Sequence, residues 1–194
     1  MRVAVFGGSA PTPGEPAYQE AQRLGELLAK AGHVVVTGGY MGVMEAASRG
    51  ASESGGHVIG VTCKDIEQWR PIDPNEWVAE LIQQKTLFDR LQTLIHDSDA
   101  YLALPGGPGT LVEISLVWNL LIIHALSSKP LILIGQSWNR IMDVFINEHS
   151  RYLPPGDESI LHFSKDIDHA VELLAVLTKS TEPSKNGREI TSAQ

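Results

Sequence analysis

Two glycine-rich segments hold the residues best suited to chemistry: Thr37-Gly38-Gly39-Tyr40-Met41-Gly42 and Pro105-Gly106-Gly107-Pro108-Gly109-Thr110. Each follows an apolar run and precedes a stretch with helical spacing. Glycine in such a place lets the backbone take positive φ and approach a ligand closely. The free N–H groups of the next helix then suit a phosphate. Thr110 adds a hydroxyl, and Glu113 lies about one turn further into the same helix. Glu113 reads two ways. It is a carboxylate beside an anion held at the helix end, or the capping-box partner of Thr110 in a T-x-x-E pattern. The glycines likewise read as phosphate cradles or as plain tight turns. Neither loop is a standard fingerprint. The first apolar run ends in Gly7-Gly8-Ser9, not G-x-G-x-x-G, and G-x-x-x-x-G-K-[ST] is absent. A standard Rossmann dehydrogenase or a P-loop ATPase is therefore disfavoured.

The elements around these loops alternate. Short apolar runs at 2–6, 34–36, 57–61, 100–104, 130–134 and 160–163 read as strands, with a shorter one at 79–82. Helical spacing covers 17–31, 42–54, 84–96, 110–126, 138–148 and 166–177. Gly32 is a C-cap candidate, and Asp166 is placed to cap the last helix. The strands are continuous apolar runs rather than alternating ones. They predict an α/β, Rossmann-like, doubly wound parallel sheet in three layers. Residues 62–78, with Trp69, Trp77, Pro71 and Pro74, read either as a ligand lid over the sheet's C-terminal edge or as a surface loop pinned by its tryptophans. Residues 1–177 are expected to form one domain, and the polar stretch 178–194 to be disordered.

Composition narrows the partners. The chain has 194 residues, 15 Lys plus Arg and 23 Asp plus Glu, for a net charge of −8. That disfavours sequence-blind nucleic-acid binding but not a small anion at a helix N-terminus. No leader and no membrane contact are expected, since the longest apolar stretch, 111–126, is broken by Glu113, Ser115, Asn119 and His124. A single cysteine, Cys63, fits a reducing compartment and a buried filler role, so the cytoplasm is the expected location. The histidines show no ligand spacing, so no metal is expected. Helix 111–126 is apolar nearly all round, which places it at the domain centre or in a dimer interface, the interface being favoured.

The segment PGGPGTLVE, Pro105 to Glu113, resembles the P-G-G-x-G-T-x-x-E signature of the LOG (Lonely Guy) family, long mislabelled lysine decarboxylase. Gly38-Gly39-Tyr40-Met41-Gly42-Val43-Met44 is similar to that family's G-G-x-x-G-x-M element, and Gly7-Gly8-Ser9 to its first glycine-serine loop. The resemblance implies a Rossmann-like fold, a homodimer or higher homo-oligomer, and no cofactor. It also implies a hydrolase that cleaves the N-glycosidic bond of a nucleoside 5′-monophosphate, of cytokinin riboside or purine type, to free base and ribose 5-phosphate. The family's functional pair falls on Arg90, nine residues before Asp99, and on Glu113. Two neighbours depart from the typical pattern: Leu91 stands where lysine is usual, and Val112 where many members have a second acid.

On this reading Arg90 and Glu113 are catalytic, and Ser9, Gly39, Gly42, Gly107, Gly109 and Thr110 contact phosphate and ribose. Tyr40 and Met44 are weaker candidates for the base pocket. Without the resemblance, Arg90 would read as a surface arginine paired with Asp89 or another nearby acid. The alternative is a non-catalytic nucleotide-binding or molybdenum-cofactor carrier-like protein of the same fold, which needs the loops but not the pair. Lysine decarboxylation is disfavoured, because Lys64, Lys85 and Lys129 lack the surroundings of a pyridoxal anchor.

Overall fold

The computed structural model describes residues 1–179. Seven strands form one sheet: β1 (Arg2–Phe6), β2 (Val34–Thr37), β3 (Val58–Cys63), β4 (Glu80–Gln84), β5 (Ala100–Ala103), β6 (Leu131–Ile134) and β7 (Leu161–Ser164). The order is β4-β3-β2-β1-β5-β6-β7, and every pair is parallel. Helices α1 (Pro16–Lys30), α2 (Val43–Glu53) and α7 (Ile167–Lys179) pack on one face. Helices α4 (Leu87–His96), α5 (Pro108–Ile122) and α6 (Gln136–His149) pack on the other. The expected three-layer, doubly wound α/β architecture is therefore present.

The apolar strand runs have a direct cause. Val3 and Val5 of β1 enter the core on the α1, α2 and α7 side, while Ala4 and Phe6 enter the other core. Both faces are covered, so no polar residue alternates in. Helix termini follow local chemistry. Gly32, at φ +78°, ends α1 with the paired bonds of a Schellman motif, Gly32 N–H to Ala29 O and His33 N–H to Leu28 O. Asp166 accepts from His169 N–H at 2.9 Å, which is the expected cap of α7.

Several expectations need correction. Residues 64–69 form a short helix, α3 (Lys64–Trp69), inside the segment read as irregular. None of its residues is buried, so no apolar stripe announced it. Trp69 does not pin that segment, since it is 81% exposed. Helix α5 begins at Pro108, two residues before Thr110, because proline's fixed φ suits the first helical position. It ends at Ile122, and His124 beyond it takes φ +56°. Thr178 and Lys179 belong to α7; the rest of the expected tail lies outside the described residues. Among the described residues, no helix is long and apolar enough to cross a membrane.

Candidate functional site

The strand order turns at β1. The chain winds outward through β2, β3 and β4, then returns to add β5 on the other side of β1. Loops leaving the ends of β1 and β5 therefore diverge, and in open α/β sheets ligands occupy that crevice. A cleft of about 390 Å³ opens there. A larger hollow of about 570 Å³ lies by the start of α6, but none of the residues expected at the site lines it.

The loops are joined by backbone bonds. Gly8 N–H donates to Pro105 O at 3.1 Å, and Val43 N–H to Gly8 O at 2.9 Å. Helix α5 starts with Gly107 as N-cap and has no side-chain cap. Leu111 N–H closes on Gly107 O, so the N–H groups of Gly109 and Thr110 precede the first intrahelical bond. The capping-box reading of Thr110 and Glu113 fails, because Thr110 already lies inside the helix. The capping box forms instead before α4, between Thr86 and Asp89. That engages Asp89 and leaves Arg90 to turn inward.

Arg90 is 5% exposed, not a surface residue. Its Nε donates to Val61 O at 2.7 Å and its Nη2 to Gly38 O at 3.3 Å. Its guanidinium lies 5.8 Å from the centre of the Tyr40 ring. Nη1 is 3.9 Å from Glu113 Oε1. Glu113 is 9% exposed, and burial pushes its pKa up to about 7 against the opposing pull of Arg90. The two residues named together by the sequence thus meet, and both line the cleft.

The expected phosphate contacts divide. Ser9, Gly107, Gly109 and Thr110 line the cleft. Gly39 and Gly42 do not. Gly39, at φ +78°, has Thr62 against the place of a side chain, and Gly42, at φ +73°, has Gly8 O 2.5 Å from it. Protein packing accounts for these two glycines. At Gly107 and Gly109 no atom lies within 4 Å of an added Cβ, so the protein leaves that space open. Tyr40 and Met44 line the cleft as the weaker candidates. Glu45 instead accepts a bond from Tyr18 OH. Cys63 is buried; Tyr40 OH accepts from its N–H and donates to its carbonyl.

Ile66, Trp69, Arg70 and Ile72, on and after α3, form a wall of the cleft that no motif in the sequence marks residue by residue. Its only signal was the paired tryptophans of a segment read as a lid or a loop. The cleft therefore joins a glycine niche at a helix N-terminus to an apolar wall. That combination suits a small ligand with an anionic end and a flat or apolar end.

The chain belongs to the SLOG cluster4 family, which matches residues 1–151. It is 30% identical to the cytokinin riboside 5′-monophosphate phosphoribohydrolase of Rhodococcoides fascians, over 87% of this chain and 86% of that one. It spans about half the length of several rice relatives that it matches. Among solved structures it is similar to the molybdenum cofactor binding protein of Rippkaea orientalis, with TM-score 0.72, 26% identity and coverage of 91% and 96%. The molybdenum cofactor carrier protein of Chlamydomonas reinhardtii gives TM-score 0.70, 26% identity and coverage of 92% and 98%. These likenesses, nearly end to end, correct the expectation of a hydrolase: these two structural neighbours are a molybdenum cofactor binding protein and a molybdenum cofactor carrier protein. DNA processing protein A of Helicobacter pylori shares the fold, with TM-score 0.58 at 20% identity and coverage of 91% and 80%, so the fold by itself does not exclude nucleic acid.

Proposed function

We propose that this chain is a non-catalytic binding protein that holds a small phosphate-bearing ligand, a nucleotide or the molybdenum cofactor, intact in the cleft between β1 and β5. The carrying observation is the division of labour in the cleft. Gly107 and Gly109 leave open space at an uncapped helix end, while Arg90 is tied by two donors to the backbone of β3 and of the first glycine loop. The phosphate end sits at Gly107, Gly109 and Thr110, with Ser9 opposite. Arg90 and Glu113 brace the loops that shape the cleft. Likeness to the molybdenum cofactor proteins supports the carrier reading over its hydrolytic relatives.

The test is recovery of the ligand. Purified protein is incubated with AMP, or with released molybdenum cofactor, and passed through a desalting column. The expected result is co-elution of intact AMP or of molybdenum, without free adenine or ribose 5-phosphate. Sustained release of adenine overturns the carrier reading.

The same reading includes a homodimer. Leu111 and Val112 of α5 and Ile123 at its C-cap are exposed, and α6 beside it exposes Ile141, Val144 and Phe145. The two helices touch through Trp118 and Phe145, with ring centres 6.1 Å apart. Exposed apolar residues on two neighbouring helices suit a second copy of the chain. Val144 is 61% exposed, so Val144→Glu costs an isolated chain little, within about 0.5 kcal/mol. Light scattering should find the wild type as a dimer and Val144→Glu shifted to monomer at micromolar concentration. A monomeric wild type refutes this interface.

A further inference from the structure

We propose that α3 carries an aromatic subsite, in which the Trp69 indole stacks on a planar nitrogen heterocycle of the ligand whose phosphate occupies the Gly107–Thr110 niche. The proposal rests on the binding reading above and adds what selects the ligand's other end.

The chain has four tryptophans, and three are engaged. Trp118 Nε1 donates to Asp157 O at 3.0 Å, and Trp138 Nε1 to Leu104 O at 3.0 Å. Trp77 lies under the Arg49 guanidinium at 5.3 Å. Trp69 lines the cleft, yet it stands in solvent without a hydrogen bond, ring or cation partner among the described residues. An indole is the largest apolar surface a side chain offers, and its faces favour offset stacking on another ring. Ile66 and Ile72 flank it on the same wall. Arg70, next in the chain, lines the cleft without an ion-pair partner among the described residues. A sugar phosphate alone would satisfy the glycine niche and leave this wall uncovered. A ring joined to that sugar phosphate uses both ends.

The wall is held largely by polar bonds, since α3 has no fully buried residue. Asp65 Oδ2 accepts from Leu87 N–H at 2.8 Å, and Glu67 accepts from Gln83 Nε2 and from Tyr40 OH. The returning chain is tied to the first glycine loop by Asn75, whose N–H donates to Gly39 O and whose Nδ2 donates to Tyr40 O, both at 2.8 Å. Few apolar contacts must break for this strap to settle onto a ring.

The test compares AMP with ribose 5-phosphate, which keeps the sugar and phosphate and lacks the ring. Trp118 and Trp138 are buried, so emission open to acrylamide comes from Trp69 and the half-buried Trp77. AMP should shield wild-type emission from the quencher, and Trp69→Phe should abolish that shielding. By titration calorimetry, Trp69→Ala should weaken AMP roughly tenfold, as expected for one lost base–aromatic stack. Ribose 5-phosphate affinity should not change, and Trp69→Phe should restore most of the AMP affinity. If Trp69→Ala binds AMP as the wild type does, or loses both ligands equally, the subsite is wrong while the phosphate niche stands. If the wild type binds neither ligand, the niche falls and the subsite with it.

Discussion

Gly109→Ala should be at least as stable as the wild type and should bind AMP about tenfold more weakly. The two halves of this result have separate causes. Gly109 lies in the first turn of α5, its φ is not positive, and no atom lies within 4 Å of an added Cβ. Nothing in the protein requires glycine there, and alanine in a helix is worth roughly 0.5–1 kcal/mol more than glycine. The loss arises only with the ligand. A methyl group in that open space holds a phosphate away from the N–H groups of Gly109 and Thr110, and a hydrogen bond to a charged group is worth roughly 1.5–3 kcal/mol. Gly38 makes the contrast, since a Cβ there would lie 1.9 Å from Arg90 Nη2 and 2.5 Å from Met44 Sδ. Substitution at Gly38 disturbs the fold and the cleft together, whereas Gly109 separates them. Thermal denaturation and AMP titration of Gly109→Ala decide the matter. Unchanged affinity would remove the phosphate from the start of α5.

The sequence exposes most of the architecture because strand burial is simple here. Residues 3–6, after Arg2 at the exposed strand start, are apolar throughout since both faces of β1 are covered, and the observed strand has the expected limits 2–6. Helix α3 escapes for the opposite reason: six residues, Lys64 to Trp69, bury nothing and so carry no period. The site is half legible. The sequence marks Gly39 and Gly42 as a cradle or a tight turn, and the structure supplies the reason, positive φ and close packing. Their partners, Thr62 and Gly8, come from distant parts of the chain. The same holds for Arg90. Local spacing would pair it with Asp89, yet Thr86 takes Asp89 into a cap, and the arginine reaches carbonyls 29 and 52 positions away. The T-x-x-E pattern at Thr110 fits a capping box by spacing, but Pro108 starts the helix earlier and carries Glu113 into the core.

That burial makes Glu113→Gln the second large effect. The Glu113 carboxyl has a pKa of about 7 in the fold against 4.5 as its ordinary value, with desolvation as the main cause and Arg90 opposing it. Between those values the folded chain holds a proton that the unfolded chain has released. Stability therefore falls as pH rises through this window, by about 3 kcal/mol from this group. Glu113→Gln keeps the shape and removes the proton, so its stability should be flatter from pH 4.5 to 7 in denaturant titrations. A second signature concerns binding. Above pH 7 Glu113 is a carboxylate lining the cleft, paired with Arg90 3.9 Å away. Tyr40, whose phenol burial pushes above its usual value, stays neutral there. A phosphate monoester is already dianionic at that point, so further loss of affinity reports the new carboxylate. Wild-type affinity for AMP should drop roughly threefold from pH 7 to 8.5, and Glu113→Gln should show no such drop. A pH-independent effect of the substitution on loop shape would change AMP affinity by the same factor at every pH and leave the two binding curves parallel. Divergence of the curves ties AMP affinity to the charge on Glu113.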